Sequence, residues 1–525
     1  MNIVVIRTEK ENFQHFSVCT KNRTFESNCL EVQMKSTVSA LALLAFISTI
    51  LLSSCSKDEV PPQPLPDENI RFMVISDLHY MHPDILKNEG KAFDEYNAEE
   101  CKLLRESGAL LDEMMQRVKS EKPSFLIVSG DMTKDGEVIC HEHVAEVFKT
   151  LAEETGTKVL VIPGNHDINN PHSLYYDGDR TSPAPSATEE MFARIYAGCG
   201  YAEAVERREG SLDYMAYPVD NIAFIGVDSN EKNTDTELRV QGGLSKEQVV
   251  WIREMVRKAH LENRYVILSM HHNLVDFYDN AQMIRGANIA NARNDTYNNS
   301  RLIDDLCAAG VDVVFSGHSH MHSITRAWRG SDPIYSIVTS SLVNLPLAYR
   351  TCTVDKNGLM TVVSGDLKNC RIPGCADLLS EGDKYWRNLS AYYMKTAADK
   401  AWDAAGIILQ CILDFKDKDD LQSFLTQRFE KVFYTFLTRT SDGNEHLFSP
   451  QENYDAAEAA LEGLFDFFDE KKVTIPIEIA IRLIFDADLD EVHQAFSDFF
   501  KSAYYNYLGE DCVLPDDAVE IQLHR

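Results

Sequence analysis

Residues 158–167 read Lys158-Val159-Leu160-Val161-Ile162-Pro163-Gly164-Asn165-His166-Asp167. The apolar run Lys158–Ile162 suits a short buried strand, and proline, glycine and three polar residues end it abruptly. A tetrapeptide such as Gly-Asn-His-Asp falls by chance about 0.003 times in a chain of this length, so the polar end asks for a chemical reason.

The same layout recurs along the chain. Arg71–Ser76 runs into Asp77-Leu78-His79, and Phe125–Ser129 into Gly130-Asp131. Ile222–Val227 precedes Asp228, Tyr265–Ser269 precedes His271-His272, and Val311–Phe315 precedes Gly317-His318-Ser319-His320. Helical patterns over Leu103–Val118, Val144–Leu151, Lys246–Ala259 and Leu302–Ala308 lie between. Continuous apolar runs alternating with amphipathic helices predict an α/β fold with its sheet covered on both faces. Ile334–Val338, Thr351–Val354 and Met360–Val363 follow one another without helices and read as an antiparallel addition. Open α/β sheets bind ligands beyond the carboxyl ends of their strands, so these clusters are expected along one edge.

The donors collected there are Asp77, His79, Asp131, Asn165, His271, His318 and His320. Imidazole and carboxylate suit borderline divalent metals such as Zn, Mn and Fe, and no Cys among them argues against a thiolate site. Seven donors exceed one tetrahedral ion and fit two ions sharing a carboxylate, for which Asp131 is the natural bridge.

In order and spacing these blocks resemble the calcineurin-like metallophosphoesterase superfamily, whose pattern is D-x-H, G-D, G-N-H-[DE], H and G-H-x-H. The resemblance spans about residues 70–365. It implies a four-layer α/β/β/α sandwich with two divalent ions: Asp77, His79 and His320 with Asp131 at one, and Asn165, His271 and His318 with Asp131 at the other. The implied reaction is hydrolysis of a phosphate mono- or diester by a metal-bridging hydroxide. His166 is then the candidate general acid, since imidazolium titrates near neutral pH. Asp228 and the Gly243-Leu244…Trp251 stretch resemble the cyclic-nucleotide and glycerophosphodiester branch and the purple-acid-phosphatase-like branch. Purple acid phosphatases place a ligating Tyr where Lys134 stands, which disfavours that identity. Many relatives carry an acid at that place, for which Asp135 is the neighbouring substitute. Relatives also carry His-His-Pro or His-x-Pro where this chain has His271-His272-Asn273, and the ligand is assigned to His271.

The remaining histidines read differently. His141 and His143 are expected on the solvated start of a helix; His82 and His322 are candidates to support the ligands, and His272 to contact substrate. Asn273–Ser300 looks like an insertion, and with Asp177–Ser186 it is a candidate lid.

Composition narrows the class. The chain has 525 residues, 44% hydrophobic and 25% charged, which is ordinary globular material of several domains. A net charge of −31 repels phosphate backbones and disfavours general nucleic-acid binding. Residues 1–33 are polar and unpatterned and read as an over-extended start. From Met34, Lys35 and the apolar run Val38–Leu52 lead to Leu52-Ser53-Ser54-Cys55, which resembles a bacterial lipoprotein signal with Cys55 acylated after cleavage. Pro61, Pro62, Pro64 and Pro66 make residues 56–69 a tether. Ser56 after the Cys resembles outer-membrane sorting, so the expected place is the cell envelope, on the periplasmic or surface side. In that oxidising compartment Cys370 and Cys375 are either paired or two free thiols.

Residues 70–375 thus form the expected phosphoesterase domain and residues 376–525 a second part. The latter carries 30 Asp plus Glu against 14 Lys plus Arg. Helical periodicity runs over Ala391–Leu413, Leu421–Leu437, Tyr454–Asp469, Ile477–Phe485 and Leu489–Tyr507, with aromatics along it. This predicts an acidic, mainly α-helical C-terminal domain, whose surface either caps the crevice or docks a partner or does neither. Two other functions stay open: a binding or scaffold lipoprotein on a phosphoesterase fold, and a nuclease, which the acidity disfavours.

Overall fold

The computed structural model describes residues 69–100, 102–234, 236–275, 299–329, 332–411, 415–427, 459 and 518–525. The signal, Cys55 and most of the tether lie outside them, as do residues 276–298 of the expected insertion. Among the described residues no helix is long and apolar enough to cross a membrane.

The strands among the described residues fall into three sheets. The first, in spatial order, is β16 (Ala518–Gln522), β15 (Leu359–Asp366), β14 (Ala348–Val354), β1 (Ile70–Ile75), β3 (Phe125–Val128) and β4 (Lys158–Val161). The second is β12 (Ser323–Arg329), β13 (Asp332–Val338), β11 (Val313–Ser316), β10 (Tyr265–Met270), β9 (Ile222–Val227), β8 (Tyr214–Val219) and β7 (Glu206–Arg207). A small ribbon joins β2 (Leu86–Asn88), β5 (Leu174–Asp177) and β6 (Arg180–Pro183). The Asp177–Ser186 stretch, expected in a lid, therefore supplies one strand of this ribbon.

Alternation along the strands explains why the two large sheets stack. Ile222 and Phe224 of β9, Ile267 of β10 and Val313 and Phe315 of β11 join one core with Phe72 of β1 and Ile127 of β3. The Phe72 and Phe315 rings meet edge-on at 5.9 Å across the sheets. Their neighbours Ala223, Ile225, Val266, Leu268 and Val314 face the other way, into a second core. The helices cover the outside. Leu110 and Met114 of Ser107–Glu121, with Val144 and Phe148 of Val138–Thr155, belong to the first core. Ile252 and Val256 of Lys246–Leu261, with Leu302 and Leu306 of Asn299–Ala309, close the second. The chain is a mixed α/β protein, two stacked sheets with helices on their outer faces.

Three expectations change. Ile334–Val338 pairs parallel with β11, although antiparallel with β12, so only β14 and β15 form the predicted antiparallel addition beside β1. The helix expected from Leu103 starts at Ser107, because Leu103 and Leu104 are buried in an irregular stretch. Residues 518–522, read as part of the helical C-terminal region, form the edge strand β16. Of that region, Leu378–Cys411 and residues 418–427 are helical, and Tyr385, Trp386 and Leu389 pack on the first core. The helices expected from Tyr454 onward lie outside the described residues, apart from residue 459.

Cys370 and Cys375 are free thiols; the Cys370 Sγ lies 3.5 Å from an Arg117 nitrogen and 3.4 Å from a Glu113 carboxylate oxygen.

Candidate metal centre

Strand register brings the polar ends together. β1 and β3 run parallel with Ile75 opposite Val128, and past their ends the Asp77 N–H donates to Gly130 O and the His79 N–H to Asp131 O, each at 3.0 Å. β10 and β11 run parallel with Ser269 opposite Phe315, and the Gly317 N–H donates to His271 O at 2.9 Å. Gly164 and Gly317 have no room for a side chain: a methyl on the first would overlap the Asp131 carboxylate, and on the second the side chains of Ser76 and Asp77. The backbone turns sharply at the donors themselves. Asp77, His79, Asp131, His318 and His320 all have φ between 38° and 66°, a left-handed region that costs an ordinary residue energy.

All seven expected donors converge. His79 Nε2 and His320 Nε2 are 3.0 Å apart, and Asp77 Oδ1 lies 3.4 Å from His320 Nε2 and 3.8 Å from His79 Nε2. Asp131 Oδ2 is 3.6 Å from His79 Nε2 and 3.3 Å from His271 Nε2. Asn165 Oδ1 is 3.1 Å from His271 Nε2 and 2.8 Å from His318 Nδ1. Asp131 stands between the two sets. The groups Asp77–His79–His320, Asp77–Asp131–His271 and His79–Asp131–His166 are each compact enough to hold a metal ion.

The electrostatics call for positive charge. Asp77, His79, Asp131 and His271 are fully or almost fully buried. His271 Nδ1 donates to Ser129 O at 2.8 Å, so its Nε2 faces the oxygens of Asn165 and Asp131. Burial opposes charging this ring, but Asp131 outweighs burial and lifts it to about 9. The acceptors around Nε2 thus demand a cation, a proton or a metal ion. Burial also opposes ionisation of both carboxyls. His320 and His271 nonetheless hold Asp77 below its ordinary range, and His271 and His166 hold Asp131 well below it. Burial, then Lys102, keeps His79 neutral. Burial, then His271, pushes His318 down to about 3. Neutral imidazoles and ionised carboxylates are the forms that ligate metal, so the donor set fits divalent ions.

His166 sits at the rim. Its Nδ1 donates to Asp135 Oδ1 at 2.9 Å, and its backbone N–H donates to Asp131 Oδ1 at 2.8 Å. Burial and Lys102 pull its ring down, yet Asp131 and Asp135 hold it above the ordinary value. Asp135 thus takes the place expected of the neighbouring acid. Lys134 is buried and turned to Asp135 and Glu137, over the Tyr96 ring, so it stands apart from the donors.

Several neighbours carry roles that motif reading missed. Asp167 accepts from the N–H groups of Met132, Thr133 and Gly164, clamping the second polar loop to the third. The Asn344 amide lies 3.2 Å from His320 Nδ1, and the Ser341 hydroxyl donates to Asp77 O at 2.7 Å. Asp228 caps its own turn through Asn230, and Asn233 donates to Asn165 O at 3.0 Å. Neither Asp167's place after a recognised block nor the loop positions of the others signalled this.

Other histidines correct the sequence reading. His141 is buried, not solvated: Nε2 donates to Asp167 O at 2.8 Å and Nδ1 lies 3.0 Å from the Tyr196 hydroxyl. His143 is exposed as expected and stacks on Tyr80. His272 is buried against Ser229 and Val240 O, with its ring 4.2 Å from that of His318, so it backs the site instead of facing substrate. His82 caps the turn at Asp84, and His322 pairs with Ser364.

Residues 70–322 match the calcineurin-like phosphoesterase family. The matched part carries the Asp and His groups that could hold metal ions, as a metal-dependent phosphoesterase of that family would. No curated protein matches the sequence. Among solved structures the chain is similar to a dimetal phosphatase from Danio rerio (13% identity, TM-score 0.35, covering 56% of this chain and 95% of that one). It is also similar to purple acid phosphatase PPD1 from yellow lupin, Lupinus luteus (14%, 0.35, 58% and 52%). A third is TT1561 of Thermus thermophilus (9%, 0.26, 57% and 100%).

Proposed function

We propose that this chain hydrolyses a small phosphate mono- or diester with two divalent ions of the Mn, Fe or Zn kind. Asp77, His79 and His320 with Asp131 hold one, and Asn165, His271 and His318 with Asp131 the other. The observation that carries the reading is the approach of His79 Nε2 to His320 Nε2 at 3.0 Å, with both buried carboxylates beside them. Donor atoms this close share either a proton or a metal ion, and the buried carboxylates beside them favour the ion.

Bound ions of this kind activate water and neutralise charge on the phosphoryl oxygens. Asp131 presents one oxygen to each donor set's neighbourhood while the His166 N–H fixes the other. Asp135 orients the His166 ring and favours its charged form, leaving Nε2 to protonate the departing alkoxide.

The test is turnover of p-nitrophenyl phosphate and bis(p-nitrophenyl) phosphate by metal-analysed protein. Asp131→Asn is expected to lose metal and rate together. His166→Ala is expected to keep its metal and lose about 100- to 10,000-fold in rate. Full activity in either variant overturns the role given to that residue.

The second part of the reading is envelope anchorage through a lipid on Cys55, supported by the Lys35–Cys55 pattern. Cys55→Ser is expected to release the protein from the membrane fraction, and unchanged fractionation overturns the anchor.

A further inference from the structure

Outside the donors at the strand ends, a further cation is built against the same site. Lys102 is 4% exposed and lies in the irregular stretch ahead of Ser107. Its Nζ pairs with Glu100 at 3.0 Å. The chain on either side is pinned to opposite edges of the donor cluster. Tyr96 Oη donates to Asp135 Oδ2 at 2.9 Å, and the other oxygen of Asp135 takes the His166 ring N–H. The Leu103 N–H donates to Val343 O at 2.7 Å, next to Asn344, whose amide meets His320. Lys102 is thus held between the His166 edge and the His320 edge, and its charge is felt at His79, His166 and Asp131.

A purely structural ion pair explains this poorly. Burying an ammonium is costly, and an apolar pair of the same volume would serve the packing as well. Glu100, Asp135 and Asp131 favour the charged ammonium, and an anion lying between it and the metal ions would add to them. A phosphoryl group is such an anion.

We propose that Lys102 is a substrate-binding residue whose ammonium takes a phosphoryl oxygen, that Glu100 positions it, and that the site therefore favours phosphate monoesters over diesters. A monoester carries up to two charges on its terminal phosphoryl group and a diester only one, so the added cation discriminates between them. This deepens the phosphoesterase reading and rests on it for the choice of substrate.

The experiment uses full-chain protein loaded with Mn and titrated calorimetrically with inorganic phosphate. Lys102→Met is expected to weaken phosphate binding about 10- to 100-fold, the usual scale for a charged hydrogen bond, with metal content unchanged. Lys102→Arg is expected to restore most of it. In turnover, Lys102→Met should lose kcat/KM on p-nitrophenyl phosphate chiefly through KM, and lose less on bis(p-nitrophenyl) phosphate. Unchanged phosphate affinity in a folded, metal-loaded Lys102→Met overturns the proposal, and so does wild-type protein that binds no phosphate. An equal loss on both esters overturns the monoester preference. If Lys102→Met does not fold, Lys102→Gln carries the same titration. Wild-type protein that binds phosphate through Lys102 but hydrolyses neither ester would sink the phosphoesterase reading alone.

Discussion

A side chain's burial decides what it can do more firmly than its type. His141 and His143 lie two residues apart in one helix, yet one is buried and the other exposed. Burial pushes His141 down to about 4, whereas an unfolded histidine titrates near about 6.5. Between those values the unfolded chain takes up a proton that the folded chain refuses. Stability from this residue is therefore complete above about pH 6.5 and drains away as pH falls, by up to about 1.4 kcal/mol per unit. His141→Gln is expected to be less stable than wild type at pH 7.5, with the gap narrowing below pH 6.5. Urea unfolding across that range checks it, and a gap of constant size counts against it.

At the scale of elements, the legible parts were those with a strong period and an abrupt end. β1, β3, β4, β9, β10 and β11 are apolar on both faces because both faces are covered, and their polar ends lie at the crevice. Hence the convergence of the donors and the fold class could be read from the chain. Half-covered edge strands could not: Ala518–Gln522 alternates over only five residues, with Ile521 buried and its neighbours largely not. Lys102 was hidden for another reason. Leu103, Leu104, Leu110 and Leu111 continue a helical pattern, while the burial of Leu103 and Leu104 belongs to a loop sewn to Val343. β16 matters to stability all the same. Ile521→Ala is expected to cost about 2–4 kcal/mol in chemical denaturation, the usual range for a truncated core aliphatic, with metal content unchanged. A variant as stable as wild type would mean that β16 is dispensable.

For the whole molecule, the donor cluster joins the two stacked sheets, since Asp77, Asp131 and Asn165 follow strands of the first and His271, His318 and His320 follow strands of the second. A cation held by both sets binds the folded arrangement and not the open chain, so it stabilises by mass action: about 2.7 kcal/mol at a hundredfold excess over Kd. A chelator is expected to lower Tm and restored metal to raise it, read by calorimetry; a Tm indifferent to both would mean that the cluster does not grip metal. The first sheet is closed at its outer edge by a strand from far along the chain. β15 ends at residue 366 and its partner β16 begins only at residue 518. During synthesis the ribosome must deliver everything in between before that hydrogen-bonded border exists. A nonsense codon anywhere in that interval therefore strips the sheet of its outer strand, leaving an open ladder of amides ready to join another copy.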